Sequence, residues 1–251
     1  MSLKRKYIYG IIQEPESRRF SFSGIGDAAV YTINHREVAA VISDTGLEEI
    51  DPTRKNVRAH TVVQDELLKK YTLLPMGFGI ISGSQDDVLK LLEKNYQGIT
   101  HELKRLADKV EVELKVSWDQ EAMIKELQGS NDDLTRLKAK IKDAPSPAEA
   151  QRLMIEAGKL VERIALDWKG RYANRVYAIL KGLALDAKLN NTLGVNNILN
   201  ASFLIERANE NGFQKEVYKL DSEYQGKINF KYVGPLAPYS FVDVKMESVS
   251  C

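Results

Sequence analysis

Val110, Val112, Leu114, Val116 and Trp118 alternate with Glu111, Glu113, Lys115 and Ser117. A period of two places the first set on the core face of a β-strand and the second toward water. This is the clearest strand in the chain, and the residues after it supply the rest of a sheet. Gln128-Gly129-Ser130-Asn131 breaks the next helix, and Asp143-Ala144-Pro145-Ser146-Pro147 breaks the chain again. Ser146-Pro147-Ala148-Glu149 then reads as a capping box. It opens a long helix over about 147–181, on which Leu153, Ala157, Leu160, Ile164, Trp168, Tyr172, Val176 and Ile179 form one apolar stripe. Residues 183–190 read as a strand, 191–197 as a polar turn and 199–206 as a second strand. Phe213, Val217, Leu220 and Tyr224 mark a helix with Gly226 placed to cap it, and 228–233 is the last clear strand. The order from Val110 is therefore βαββαβ, that of a ferredoxin-like sheet. Trp118 and Trp168 are expected in its core.

Upstream, residues 6–12 read as a buried strand and 14–26 as a polar, glycine-bearing loop. Two short apolar runs, 28–33 and 38–42, flank Asn34-His35-Arg36-Glu37 as a hairpin. Asp51-Pro52-Thr53 opens a helix with Val57, His60, Val63, Leu67 and Tyr71 on its apolar face. Residues 73–81 read as a strand interrupted by Pro75, Gly77 and Gly79, and the proline implies an edge, a bulge or a strand start. One further helix carries Val88, Leu92, Tyr96, Ile99, Leu103 and Leu106. The expectation is an α+β protein of two domains: residues 1–108, and a ferredoxin-like domain over 109–251 that contains the long helix.

The 251 residues are 43% hydrophobic and 28% charged, an ordinary composition for a chain with a buried core. The formal net charge of +1 argues against a general nucleic-acid binder. No apolar run approaches the roughly 20 residues that span a bilayer, so no membrane role is expected. The basic start at Lys4-Arg5-Lys6 is followed by too short an apolar run for a signal peptide. Cys251, the one cysteine, cannot form a disulfide within the chain, which fits a reducing cytoplasm.

The chemistry-bearing residues form no constellation. His35, His60 and His101 lack a second His or Cys at metal-ligand spacing. His60 lies on an apolar helix face, where it is either a half-buried structural histidine or the base or ligand of a site. Gly24-Ile25-Gly26 and Gly77-Phe78-Gly79 each lack the third glycine of a dinucleotide fingerprint, and no phosphate loop occurs. Asp86-Asp87 and Asp132-Asp133 stand at helix starts, where carboxylates complement the helix dipole. No serine has a G-x-S-x-G setting. No catalytic, cofactor-binding or metal residue is therefore assigned. Arg152, Lys159, Arg163, Lys169, Arg171 and Arg175 are interleaved with acids on the long helix, as a solvated face or an electrostatic docking face.

The C-terminal stretch is built for packing and contact. Tyr232-Val233-Gly234-Pro235-Leu236-Ala237-Pro238-Tyr239-Ser240-Phe241 joins two backbone-stiffening prolines to large aromatic area. It reads as a segment that folds back to close an interdomain seam, as a partner surface, or as both.

With Asn200, Ala201, Phe203, Leu204, Phe213, Val217, Leu220 and Phe230, the residues Gly234, Pro235, Pro238, Tyr239, Ser240 and Phe241 resemble the C-terminal end of the gas vesicle protein L/F family. Arg58-Ala59-His60 leading to Leu74-Pro75 and Phe78-Gly79 is similar to that family too, as is Val112-Glu113-Leu114 leading to Trp118-Asp119. Together the segments run from about Tyr7 to Val242. The family usually carries a basic residue just before Phe-Gly, where this chain has Gly77. The resemblance implies a non-enzymatic minor gas vesicle protein, cytoplasmic and associated with vesicles, with no cofactor. Its implied partner is the small, very hydrophobic shell protein, and other minor vesicle proteins are a wider expectation. Tyr232, Leu236, Tyr239 and Phe241, where exposed, are the first contact candidates, and Arg163 and Arg171 the second. The alternative is a small-molecule-binding or enzymatic α+β protein with its site near His60.

Overall fold

A computed structural model describes residues 5–129, 132–192, 196–224 and 226–243. The fold mixes helices and strands, as expected. By internal contacts the chain divides into two compact units. The first takes the residues up to Glu111, Leu204–Ala208 and the described residues from Gly234 onward; the second takes Val112–Phe203 and Asn209–Val233.

The first unit is built on a sheet of β1 (Arg5–Gln13), β2 (Arg19–Ser23), β3 (Ala29–His35), β4 (Val38–Thr45), β5 (Leu73–Pro75) and β6 (Ile81–Ser82). The order is β2-β3-β4-β1-β5, with β6 also paired to β1. β3 and β4 form the expected hairpin, paired from Val30↔Ser43 to His35↔Val38, and Arg36 adopts φ 53° in its two-residue turn. β5 lies at an edge, where Pro75 costs no ladder bond. Gly10 is required by that close approach, since a Cβ there would meet Leu73 Cδ1 at 2.6 Å and the Leu74 carbonyl at 2.8 Å.

Helix α1 (Arg54–Leu68) is capped by Thr53, whose Oγ1 accepts from the Asn56 N–H at 3.3 Å. Its buried residues include His60, Val63, Gln64 and Leu67, but Val57, expected with them, is exposed. Helices α2 (Gln85–Lys94) and α3 (Tyr96–Arg105) lie where one helix was expected. Asn95, at φ −102° and ψ 9°, leaves helical geometry between them. The apolar spacing carried across this break because each piece buries its own part of the stripe. Val88, Leu92, Ile99 and Leu103 join Ile8, Ile11, Ile33, Val38, Ile42 and Leu74 in one core, together with Leu204 and Phe241. Residues 14–26, expected as a loop, contain β2 and run into a short 3-10 turn, Ile25–Asp27. Among the described residues β2 is an outer strand paired only with β3, so its alternation is short and half-covered, with Phe20 and Phe22 stacked at 5.0 Å.

The second unit holds most of the elements that follow: β7 (Lys109–Trp118, from Val112), α4 (Gln120–Gly129), α5 (Asp132–Lys142), α6 (Pro147–Lys181), β8 (Asp186–Leu189), β9 (Asn197–Glu206, to Phe203), α7 (Glu210–Glu223) and β10 (Ile228–Leu236, to Val233). The four strands lie in the order β10-β7-β9-β8. Helix α6 starts where the capping box placed it, with Ser146 Oγ accepting from the Glu149 N–H at 3.2 Å. Its stripe is only partly covered: Leu153 and Val176 are buried, whereas Trp168 and Tyr172 are half-buried. Trp118 is buried and joins a run of aromatic contacts. Its ring lies 6.3 Å from Trp168 and 5.3 Å from Tyr172, and Tyr172 lies 5.3 Å from Tyr224. Part of the expected helix break, at Ser130 and Asn131, lies outside the described residues, as does Cys251.

Candidate functional site

Within the first unit, α1 turns His60 and Gln64 inward one helical turn apart. β1 presents Tyr7 and Tyr9 toward them, and the segment after β5 adds the Met76 carbonyl, Phe78 and Gly79. Tyr7 Oη accepts from the Gly79 N–H at 3.0 Å, so its own proton is directed to His60 Nδ1 at 2.8 Å. That assigns the remaining ring proton to Nε2, which lies 3.2 Å from both the Met76 carbonyl and Tyr239 Oη. Gln64 Nε2 donates to the Tyr9 carbonyl at 2.7 Å and the Met76 carbonyl at 3.0 Å. Tyr239 Oη donates to Gln64 Oε1 at 2.5 Å. The His60 ring also meets Phe78 edge-on, with centroids 5.8 Å apart.

His60 is 3% exposed. Burial holds its pKa below the ordinary histidine value, against the smaller opposing effect of the Met76 carbonyl. Burial likewise pushes the Tyr7 and Tyr239 hydroxyls up to about 12. The arrangement is therefore a neutral hydrogen-bonded network around a histidine whose two nitrogens both face protein groups. Among the described residues, no group of three or more His, Cys, Asp or Glu side chains could hold a metal ion. A polar cleft of about 690 Å³ elsewhere in this unit is lined by His35, Arg36, Glu93, Lys94, His101 and Glu102, among others, and not by His60.

The C-terminal segment contributes more than Tyr239. Ser240 donates from its backbone N–H and its Oγ to Glu111, at 2.8 and 2.6 Å. Glu111 was expected to face water with the other polar members of its strand, yet it is 1% exposed. The alternation rule failed there because the returning chain supplies donors for the buried carboxylate. Arg105 bonds the Phe241 carbonyl and holds Glu102 through its Nε and Nη2 at 2.8 and 2.7 Å.

Of the contact candidates, Leu236, Tyr239 and Phe241 belong to this one segment of the first unit. Leu236 is half-buried and Tyr239 is 46% exposed. Phe241 is 1% exposed and packs in the core, so it offers no surface. Tyr232 belongs to the second unit. Its hydroxyl is buried without a hydrogen-bond partner among the described residues, and burial pushes its pKa up to about 12. Arg163 and Arg171 are exposed on α6, and Arg171 pairs with Asp167 at 2.8 Å. Sequence reasoning singled out His60 by its helical spacing. It missed Tyr7, Gln64 and Glu111, whose roles depend on partners far away in the chain.

The chain is 27% identical to gas vesicle protein F of a Nostoc species over 95% of its length and 98% of that protein. It is 32% identical to gas vesicle protein F of a Streptomyces species, covering 94% of this chain and 99% of that one. The crystal structure of the gas vesicle protein GvpF from an Anabaena species matches with a TM-score of 0.80 and 25% identity, over 96% of this chain and 99% of that one. The crystal structure of GvpF from Microcystis aeruginosa, at 22% identity and a TM-score of 0.75, shares the fold over 96% of this chain and 99% of that one. A family model described as gas vesicle synthesis protein GvpL/GvpF matches residues 5–243. The chain belongs to that family.

Proposed function

We propose that this chain is a non-enzymatic minor gas vesicle protein that binds the hydrophobic shell protein, and other minor vesicle proteins, and supports vesicle assembly in the cytoplasm. The observation that carries this reading is the family match over residues 5–243, with relatives named gas vesicle protein F matched over nearly their whole length. The His60 network agrees with it, since both ring nitrogens are committed to Tyr7, Tyr239 and the Met76 carbonyl rather than to a carboxylate. A very hydrophobic shell protein needs a carrier that shields it before it enters a wall. Such a carrier works by contact area rather than by bond-making. Tyr239 and Leu236 are the first contact candidates, with Tyr232 beside them in sequence; Arg163 and Arg171 on α6 are the second.

We extend the same reading to the architecture. The strand order β10-β7-β9-β8 supports a ferredoxin-like second half, in which the first and third strands are central and α6 is the long first crossover. Two domains are the corresponding reading, with the break near residue 108 falling close to Glu111 and with Leu204–Ala208 and the C-terminal segment joining the first unit instead of the second.

Co-expression with the shell protein, followed by a pull-down of this chain, tests the assignment. Retention of shell protein is expected, and its complete absence would remove the binding role. A metabolite whose turnover disappears in a folded His60→Ala variant would overturn the non-enzymatic part.

A further inference from the structure

We propose that β8 is a self-association edge, through which two copies of this chain pair antiparallel about Ala187 and join their four-stranded sheets. β8 ends the order β10-β7-β9-β8, and no described strand pairs with its outer side. The Asn190 N–H donates to the Asn200 carbonyl on β9 at 2.8 Å, which sets the phase of the strand. Backbone groups alternate sides along a strand, so those of Ala187 and Leu189 point outward.

Two side chains occupy the middle of this edge in the single copy. The Ala187 N–H donates to Asp186 Oδ1 at 2.8 Å, and Tyr177 Oη donates to the Ala187 carbonyl at 3.2 Å. A second copy supplies the same two bonds from its own Ala187 and releases the Asp186 carboxylate. Around this centre the apolar side chains are unusually bare: Leu183 is 52%, Leu185 53% and Leu189 63% exposed.

The sequence of the edge selects the occupant. Antiparallel pairing centred on Ala187 sets Asp186 opposite Lys188 twice, and brings Leu189 toward Leu185, the residue just before β8, twice, by the two-fold axis. Centring on Asp186 would oppose acid to acid, and centring on Lys188 would oppose base to base. Parallel in-register pairing would do both. The outer strand β2 shows no such match, because pairing about Ser21 leaves Arg19 opposite Ser23. A second copy of this chain therefore meets the edge with complementary charge and apolar residues together, which an arbitrary strand would not.

Sedimentation equilibrium of the full chain tests this, with Asp186→Lys, Lys188→Asp and the exchanged double variant D186K/K188D. The wild type and the double variant are expected to show a concentration-dependent monomer–dimer equilibrium. Each single variant turns two attractive pairs into repulsive ones and should weaken association about tenfold or more. An equimolar mixture of the two single variants should recover dimer, because one copy then presents two lysines and the other two aspartates. Circular dichroism reports whether each variant is folded, and if a single variant is not, the wild type and the double variant carry the test. A wild type that stays monomeric at its highest soluble concentration would overturn the proposal. So would folded single variants that dimerise like the wild type, a mixture that stays monomeric, or a folded double variant that fails to associate.

Discussion

Tyr239 is 46% exposed, yet its hydroxyl is bonded to Gln64, and that combination makes it informative. The hydroxyl completes a network in which Gln64 Oε1, His60 Nε2 and the Met76 carbonyl meet. Tyr239→Phe keeps the ring and its exposed area but deprives the buried Gln64 Oε1 of this donor. The expected loss is about 1–3 kcal/mol, the ordinary cost of stranding a buried polar group, measured by chemical denaturation. An unchanged midpoint would mean that water takes over as donor to Gln64 Oε1 when the hydroxyl is gone. His60 gives a second prediction. Its folded pKa is depressed below the unfolded value of about 6.5, so the unfolded chain takes up the proton first as pH falls. The stability that depends on neutral His60 is therefore fully present above about 6.5 and is lost as pH drops from there through the lower folded value. Protonation would also set a ring N–H against Tyr7 Oη, which already accepts from Gly79. His60→Asn should remove that acid-side decline from the stability–pH curve. A curve of unchanged shape would assign the decline to other groups.

The elements show why some of this was legible and some was not. Helix α6 was placed to within its terminal residues because Ser146, Pro147 and Glu149 form a local start signal and the stripe repeats over many turns. β7 was legible for the same kind of reason, a long unbroken alternation. β2 was missed because its five residues have one neighbouring strand among the described residues and no deep face. The break at Asn95 was missed because apolar spacing persists across it. The depth of burial was legible least of all, since periodicity names a face without saying how much covers it. That is the difference between Trp118, buried on β7, and Trp168, half-buried on α6. Trp118→Ala is expected to cost about 3–5 kcal/mol, and Trp168→Ala distinctly less, since part of its area is already in water. Equal losses in denaturation would show that α6 is covered more fully than its exposure indicates. Around His60, helical spacing announced the histidine itself, but Tyr7 and Tyr239 are 53 and 179 residues away from it. No local pattern could have joined them.

At the scale of the whole molecule the near-neutral charge matters most. A formal net charge of +1 gives little long-range attraction to a partner, so binding must depend on local apolar area and local charge. The first unit offers Tyr239 at 46%, Ile80 at 41% and Val57 at 39% exposure, while the second offers the mixed charged face of α6 with Arg163 and Arg171. These two surfaces predict different responses in a shell-protein pull-down. Tyr239→Ala removes exposed aromatic area and should reduce retained shell protein several-fold, with salt having little effect, as for apolar contact. Charge reversal at Arg163 and Arg171 together should act mainly if α6 is the docking face, and the wild-type interaction should then weaken as salt rises. Tyr239→Phe separates contact from stability, because it keeps the ring while losing the buried hydrogen bonds. If it retains shell protein like the wild type and Tyr239→Ala does not, with both variants folded by circular dichroism, the ring is the contact. If both variants bind fully and only the arginine reversals reduce binding, the contact belongs to α6 and the C-terminal segment serves the core of the first unit alone.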